Sequence, residues 1–143
     1  MRAPFQVIVF PYRRGERTLQ VLIGKRADDG TWQTISGGGE NTETPLEAAK
    51  RELMEESNLT GEHWQQLDSR TTLPKVYYAG HEAWGDDVFV IPEYAFAVET
   101  YGLEVISHEH SELRWVDVAT AHALLKYDSN KVALWELCQR VMV

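Results

Sequence analysis

The 143 residues are 43% hydrophobic and 25% charged, the make-up of one soluble domain long enough to bury a core, so a single domain over residues 1–143 is expected. A net charge of −8 and a pI near 5.1 exclude a protein that grips nucleic acid or an anionic membrane electrostatically, since both are held mainly by Lys and Arg; the partner expected is a small molecule. Cys138 is the one cysteine, which rules out an internal disulfide and fits a reduced cytosolic setting, and the apolar run at the N-terminus is too short for a signal peptide or a membrane span, so a cytoplasmic location is expected.

Phe5 to Tyr12 is β-branched and aromatic, and Thr18 to Lys25 alternates Leu19, Val21 and Ile23 with the other face; both read as strands. Lys25 and Arg26 at the second strand's end are either ordinary terminal charges or phosphate contacts. Asp28, Asp29 and Gly30 mark a turn, and Trp32 to Ile35 a short strand leading through Ser36 into Gly37, Gly38 and Gly39. Trp32 has two open readings, core packing and lining the entrance of a site. The glycine run offers a backbone free to take positive φ and to approach a ligand closely.

A helix follows with a marked start and end. Thr44, Pro45 and Glu47 form a capping box with proline at the first helical position, and Asn58 suits the left-handed residue just past the last turn, with Leu59 packing back. At about 100° per residue, Leu46, Ala49, Leu53 and Ser57 share one side. Glu52, Glu55 and Glu56 crowd another, where like charges three and four residues apart repel. Either this is a solvated face with Glu47 and Arg51 as an i,i+4 ion pair, or its oxygens converge on a hard divalent cation.

Downstream, Gln65 to Leu73 and Val76 to Ala79 are extended candidates interrupted by Pro74, His81 to Asp87 is a polar loop, and Val88 to Val98 is a strand in which Pro92 implies a bulge or an edge. Tyr77, Tyr78 and Trp84 fit either ring stacking on a ligand or sheet packing. Ile106 to Glu112 reads as a solvated polar loop before a strand at Leu113 to Val116; His108 and His110 lack the further partners a zinc site needs. Asp117 caps a short helix to Leu125. A last helix starting at Asp128 or Ser129 places Ala133, Leu134, Leu137, Cys138 and Val141 on one face to dock on the sheet, with Cys138 as a small buried hydrophobe.

Gly37, Glu43, Arg51, Glu52, Leu53, Glu55, Glu56 and Leu59 fall on the positions of the Nudix box, with Asn58 where that box has glycine. The chain therefore resembles the Nudix hydrolase superfamily, MutT-like. WQTISGGGE, SHEHSELRWVD and SNKVALWEL make it most similar to dihydroneopterin triphosphate or dATP pyrophosphohydrolases. The resemblance implies an α/β/α sandwich with a mixed sheet and helices on both faces, and hydrolysis of a diphosphate linkage with Mg²⁺ or Mn²⁺. It assigns Arg51, Glu52, Glu55 and Glu109 to catalysis, and Glu52, Glu55, Glu56 and Glu109 to the metal, with Glu112 in reserve for Glu109. Arg51 would act by pairing with Glu43, and Lys25, Arg26, Trp32, Ser36, Gly37 and Gly38 would meet the substrate. The substrate implied is a nucleoside or pterin triphosphate, handled by a monomer or homodimer. Pro74 and Tyr77 lie near markers of ADP-ribose and dinucleoside polyphosphate pyrophosphatases, the alternative enzymes. A nucleotide-sensing Nudix module would usually carry a broken box, and this box keeps every carboxylate.

Overall fold

The computed structural model describes residues 1–101 and 110–141. Seven strands form one mixed sheet: β1 (Arg2–Arg14), β2 (Leu19–Arg26), β3 (Trp32–Gln33), β4 (Ile35–Glu40), β5 (Glu62–Pro74), β6 (Val90–Glu99) and β7 (His110–Asp117). Their path runs β3-β2-β1-β6-β5, with β4 added to β1 and β7 to β2. The β1–β6 pair is parallel and the other pairs are antiparallel. Helix α1 (Pro45–Ser57) covers one face, and α2 (Val118–Leu124) and α3 (Asp128–Val141) cover the other, which is the α/β/α sandwich.

Side-chain alternation along β1 decides which core each residue joins. Val7 and Val9 pack with Leu22, Ile35, Ala49, Leu53 and Phe96 under α1, while Ile8, Phe10 and Tyr12 pack with Val21, Ile23, Leu134 and Leu137 under α2 and α3. β1 also changes partner. Its first half pairs with β4 from Gln6↔Gly38 to Val9↔Ile35, and its last residues pair with β2 from Tyr12↔Val21 onward. The sheet therefore forks on that side of β1.

Several sequence expectations are corrected by this architecture. The strand expected at Trp32 to Ile35 is two, β3 on β2 and β4 on β1, because Thr34 is held at the changeover: its N–H donates to Asn130 Oδ1 (2.9 Å) and its hydroxyl to Val9 O (2.5 Å). The glycine run is not a positive-φ loop. It lies within β4, and positive φ among the described glycines is confined to Gly30, Gly80 and Gly85, all outside that strand. What the run supplies is the missing Cβ, since one on Gly39 would stand 2.2 Å from the Phe5 ring. Val76 to Ala79 is not extended: Lys75–Tyr77 is a 3₁₀ turn, as is His81–Trp84 inside the expected loop. Leu46 is 38% exposed, because the buried stripe of α1 runs through Ala48, Ala49, Glu52, Leu53, Glu56 and Ser57. Pro92 sits where β6 has β5 as partner and has not yet met β1, whose pairing begins at Gln6↔Glu93, so the missing N–H costs no ladder bond on that side. Cys138 is buried in the α2–α3 core, and burial pushes its thiol pKa up, which fits a packing role. Among the described residues no helix is long and apolar enough to cross a membrane.

Candidate active site

The α1 face is built from short-range contacts. Thr44 accepts from the Glu47 N–H (3.2 Å) and Glu47 returns the bond to the Thr44 N–H (2.9 Å), so Glu47 closes the capping box. At the other end Asn58 holds φ 58° and ψ 24°, and its N–H bonds to Met54 O. The left-handed geometry that the box ordinarily gives to glycine is thus met by asparagine.

Between these ends Arg51 ties helix to strand. Its Nε and Nη2 fork onto Glu43 at 2.9 and 3.0 Å, Nη2 also donates to Gly38 O at 2.8 Å, and Nη1 reaches Glu52 at 2.9 Å and Glu55 at 3.1 Å. The hydrogen bond from Arg51 holds the Glu43 carboxyl below its ordinary pKa, and Glu43 in turn raises that of Arg51. Arg51 thereby ties β4 and Glu43 to α1 beside its carboxylates.

The carboxylates differ in setting. Glu52 and Glu56, one turn apart, are only 7% and 4% exposed, so the acidic stripe is not a solvated face. Glu52 lies directly over Gly37: a Cβ there would stand 2.0 Å from the Glu52 carboxyl carbon. Glu55 is turned to Arg51 and largely exposed. Among the described residues no three Asp, Glu, His or Cys side chains are already gathered as a metal group. The donor set nonetheless suits a hard cation: two carboxylates shielded from water and a third, Glu55, one turn from Glu52, all oxygen donors. Glu109 lies outside the described residues. Glu112, its reserve, pairs with Arg114 (Nε–Oε2 2.7 Å) at the β2 edge opposite Lys25.

Across the sheet is a cavity of about 570 Å³, within the range of small-molecule sites. Ser36 and Gly37 of β4 and Arg26 of β2 reach it; Lys25, Trp32 and Gly38 do not line it. Arg26 is forked onto Asp28 at 2.9 and 2.7 Å, and that hydrogen bond holds the Asp28 pKa down at about 2. Trp32 packs against the α2–α3 core, with Arg114 5.1 Å from its ring centroid. Gly38 serves through its carbonyl, and an Arg2 guanidinium lies over the place a Cβ would fill.

The cavity wall includes residues that the sequence pattern did not single out: Arg2, Gln6, Glu93, Tyr127 and Asn130. A polar residue on an inward strand position is the signal that could have found Gln6 and Glu93, in the otherwise apolar stretches FQVIVF and VIPEYAFAV. Tyr77 and Tyr78 line it as well, and burial, then Glu93, pushes the Tyr78 phenol up to about 12. Burial also raises the Glu93 pKa against a hydrogen bond from Ser129. Trp84 does not line it; its indole N–H donates to Arg2 O (2.9 Å) and so braces the strand that carries Arg2.

Residues 3–135 match the family model of the NUDIX domain. The chain belongs to the NUDIX family. This NUDIX protein is a hydrolase of phosphoanhydride bonds. It is 28% identical over 138 residues to dihydroneopterin triphosphate diphosphatase of Escherichia coli, a match that covers 93% of this chain and 91% of that one. The structure of a Listeria monocytogenes protein described as a NUDIX hydrolase superposes with a TM-score of 0.85 at 40% identity, covering 98% of this chain and 95% of that chain. The E. coli dihydroneopterin triphosphate pyrophosphohydrolase structure superposes with a TM-score of 0.72 at 26% identity, covering 99% and 97%.

Proposed function

We propose that this NUDIX hydrolase cleaves a nucleoside or pterin triphosphate to the monophosphate and pyrophosphate, with Mg²⁺ or Mn²⁺, and that dihydroneopterin triphosphate or a dATP-like nucleotide is its substrate. The observation that carries the reading is the meeting at Gly37 of two unlike surfaces. On one face of β4 lies the Glu52 carboxylate of α1, and on the other a cavity large enough for a heterocycle and sugar. A triphosphate crossing the bare edge of β4 would place its ring on one side and its phosphates on the other. The likeness to the E. coli diphosphatase supports the triphosphate class.

In this reading Glu52, Glu55, Glu56 and Glu109 hold the cations. Bound there, the cations would neutralise phosphate oxygens and lower the pKa of a nearby water. A carboxylate of the set would then take a proton from the attacking water, in line with the leaving oxygen. Arg51 holds Gly38 and Glu43 against α1 so that the carboxylates stay fixed. Arg26, which lines the cavity, would meet the substrate there, and the Ser36–Gly37 backbone, where the two sides meet, offers amide and carbonyl groups to the phosphates. The proposal extends to a single cytoplasmic domain, monomeric or homodimeric, that acts on a small molecule and not on nucleic acid; the net charge of −8 supports the last point.

The test is a screen of nucleoside triphosphates, dihydroneopterin triphosphate, ADP-ribose and dinucleoside polyphosphates with Mg²⁺, followed by hydrolysis in ¹⁸O-labelled water. Monophosphate and pyrophosphate from a triphosphate, with label in one of them, are expected. Orthophosphate and a diphosphate in the first turnover would refute the assignment.

A further inference from the structure

Gln6 interrupts the apolar run of β1 yet is 5% exposed, and its Nε2 is buried without a hydrogen-bond partner. An unpaired buried amide is costly, so such a group marks a position kept for something other than stability. In the parallel register Gln6 stands beside Glu93, as Ile8 stands beside Ala95 two residues on. Residues paired across neighbouring strands point to the same face, and Ile8 and Ala95 lie in the α2–α3 core. Gln6 and Glu93 therefore both face the cavity, whose wall they share.

Their chemistry is complementary to one kind of edge. The terminal amide torsion of Gln6 is soft, so half a turn brings its NH₂ into the cavity as a donor. The Glu93 carboxyl shares the cavity wall with Ser129 at the start of α3 and accepts through two oxygens. Tyr77 and Tyr78 present rings on the same wall, with the Arg2 guanidinium 5.2 Å from the Tyr78 ring centroid. A flat, electron-poor heterocycle is suited to such walls.

We propose that Gln6 and Glu93 form a specificity pair for the amine, ring N–H and oxo edge shared by guanine (2-amino-6-oxo) and a reduced pterin (2-amino-4-oxo), with Glu93 accepting from the ring N–H and the exocyclic amine and Gln6 donating to the oxo group. An adenine edge is the wrong partner. It offers an amine to one carboxylate oxygen and a ring-nitrogen lone pair to the other, and it has no oxo group for Gln6. The inference rests on the triphosphate reading above and deepens it by naming the ring class.

The experiment compares kcat/KM for GTP, ITP and ATP with Mg²⁺ in the wild type, Glu93→Gln and Gln6→Leu. The wild type should prefer GTP to ATP by roughly 10- to 100-fold, with ITP, which lacks the 2-amino group, in between. Glu93→Gln should collapse the GTP-to-ITP ratio towards one. Gln6→Leu should lower GTP and ITP together relative to ATP, and its Tm should hold or rise because an unpaired donor is gone. Should Glu93→Gln fail to fold, the Gln6→Leu ratios decide. Saturation-transfer NMR of the metal-free wild type and variants with guanosine, inosine, adenosine and neopterin separates this inference from the hydrolase reading. If no triphosphate is turned over, the proposed function fails, while guanosine and neopterin signals that exceed adenosine and are lost in the variants still support the pair. ATP preferred over GTP, ratios unmoved by either variant, or equal signals from guanosine and adenosine would overturn it.

Discussion

Helices α1 and α3 are docked on opposite faces of the same sheet, yet they are fastened at very different ranges. Arg51 of α1 reaches Glu43 and Gly38, 8 and 13 residues away. Glu136 of α3 accepts from the Asp68 and Ser69 N–H groups (2.7 and 2.8 Å) and from the Ser69 hydroxyl (2.6 Å), 67 and 68 residues away, while Asn130 holds Thr34 across 96. The difference separates two jobs. The acidic side, to which the proposed function assigns the phosphates, needs fixed spacings, and a short chain segment with one helix supplies them. The cavity has a wall of varied shape, assembled from residues of six strands, the start of α3 and three tyrosines that meet only when the sheet closes.

The largest test of this division is on the α1 side. Glu56→Gln should lower kcat by roughly 10²- to 10⁴-fold while circular dichroism and Tm stay near wild type, and excess EDTA should abolish turnover of the unmodified protein. Undiminished hydrolysis in EDTA would remove the metal from the account. Gly37→Ala comes next. Its methyl meets the Glu52 carboxyl, so Glu52 must swing away, and a loss of about 10²-fold in turnover is expected for a displaced ligand. Retention of activity would show that the Glu52 position is not critical.

On the α3 side the expected effect is on stability and depends on pH. Burial alone would raise the Glu136 pKa, but hydrogen bonds from Ser69, the Asp68 N–H and Arg140 outweigh it and bring it down to about 2 from 4.5. A carboxylate depressed on folding contributes stability that is fully present above its unfolded pKa and is lost as pH falls through its folded one. The window is thus pH 4.5 down to 2. Glu136→Gln should destabilise by about 1–2 kcal/mol at pH 7, after allowance for solvent screening, and should flatten the acid limb of urea midpoints across that window. An unchanged slope would mean that α3 is held by its apolar face alone. The smallest effect belongs to Asn58→Gly, which should leave turnover within about two-fold and raise stability by less than about 1 kcal/mol, since glycine adopts φ near +58° more easily. A large loss of activity would reveal a role for the Asn58 side chain.

The sequence by itself determined the α1 unit. Cap residues, helical period and the left-handed Asn58 all act within a few residues, so the start and end of the helix were legible from residue type and spacing alone, whereas spacing offered Glu47 as the partner of Arg51 and only the family resemblance pointed to Glu43. So were the faces of β2 and α3, because alternation and the 3.6-residue period report burial wherever one side meets a core. Tertiary structure decided the rest. The glycine run became a strand because β1 offered it a partner, and Glu52 entered the buried stripe where Gly37 left room for its carboxylate. Lys75–Tyr77 turned after Pro74 where strand propensity alone favoured extension from Val76. Gln6 and Glu93 face one another only through the parallel register of β1 and β6, a pairing between segments nearly ninety residues apart that no local pattern encodes.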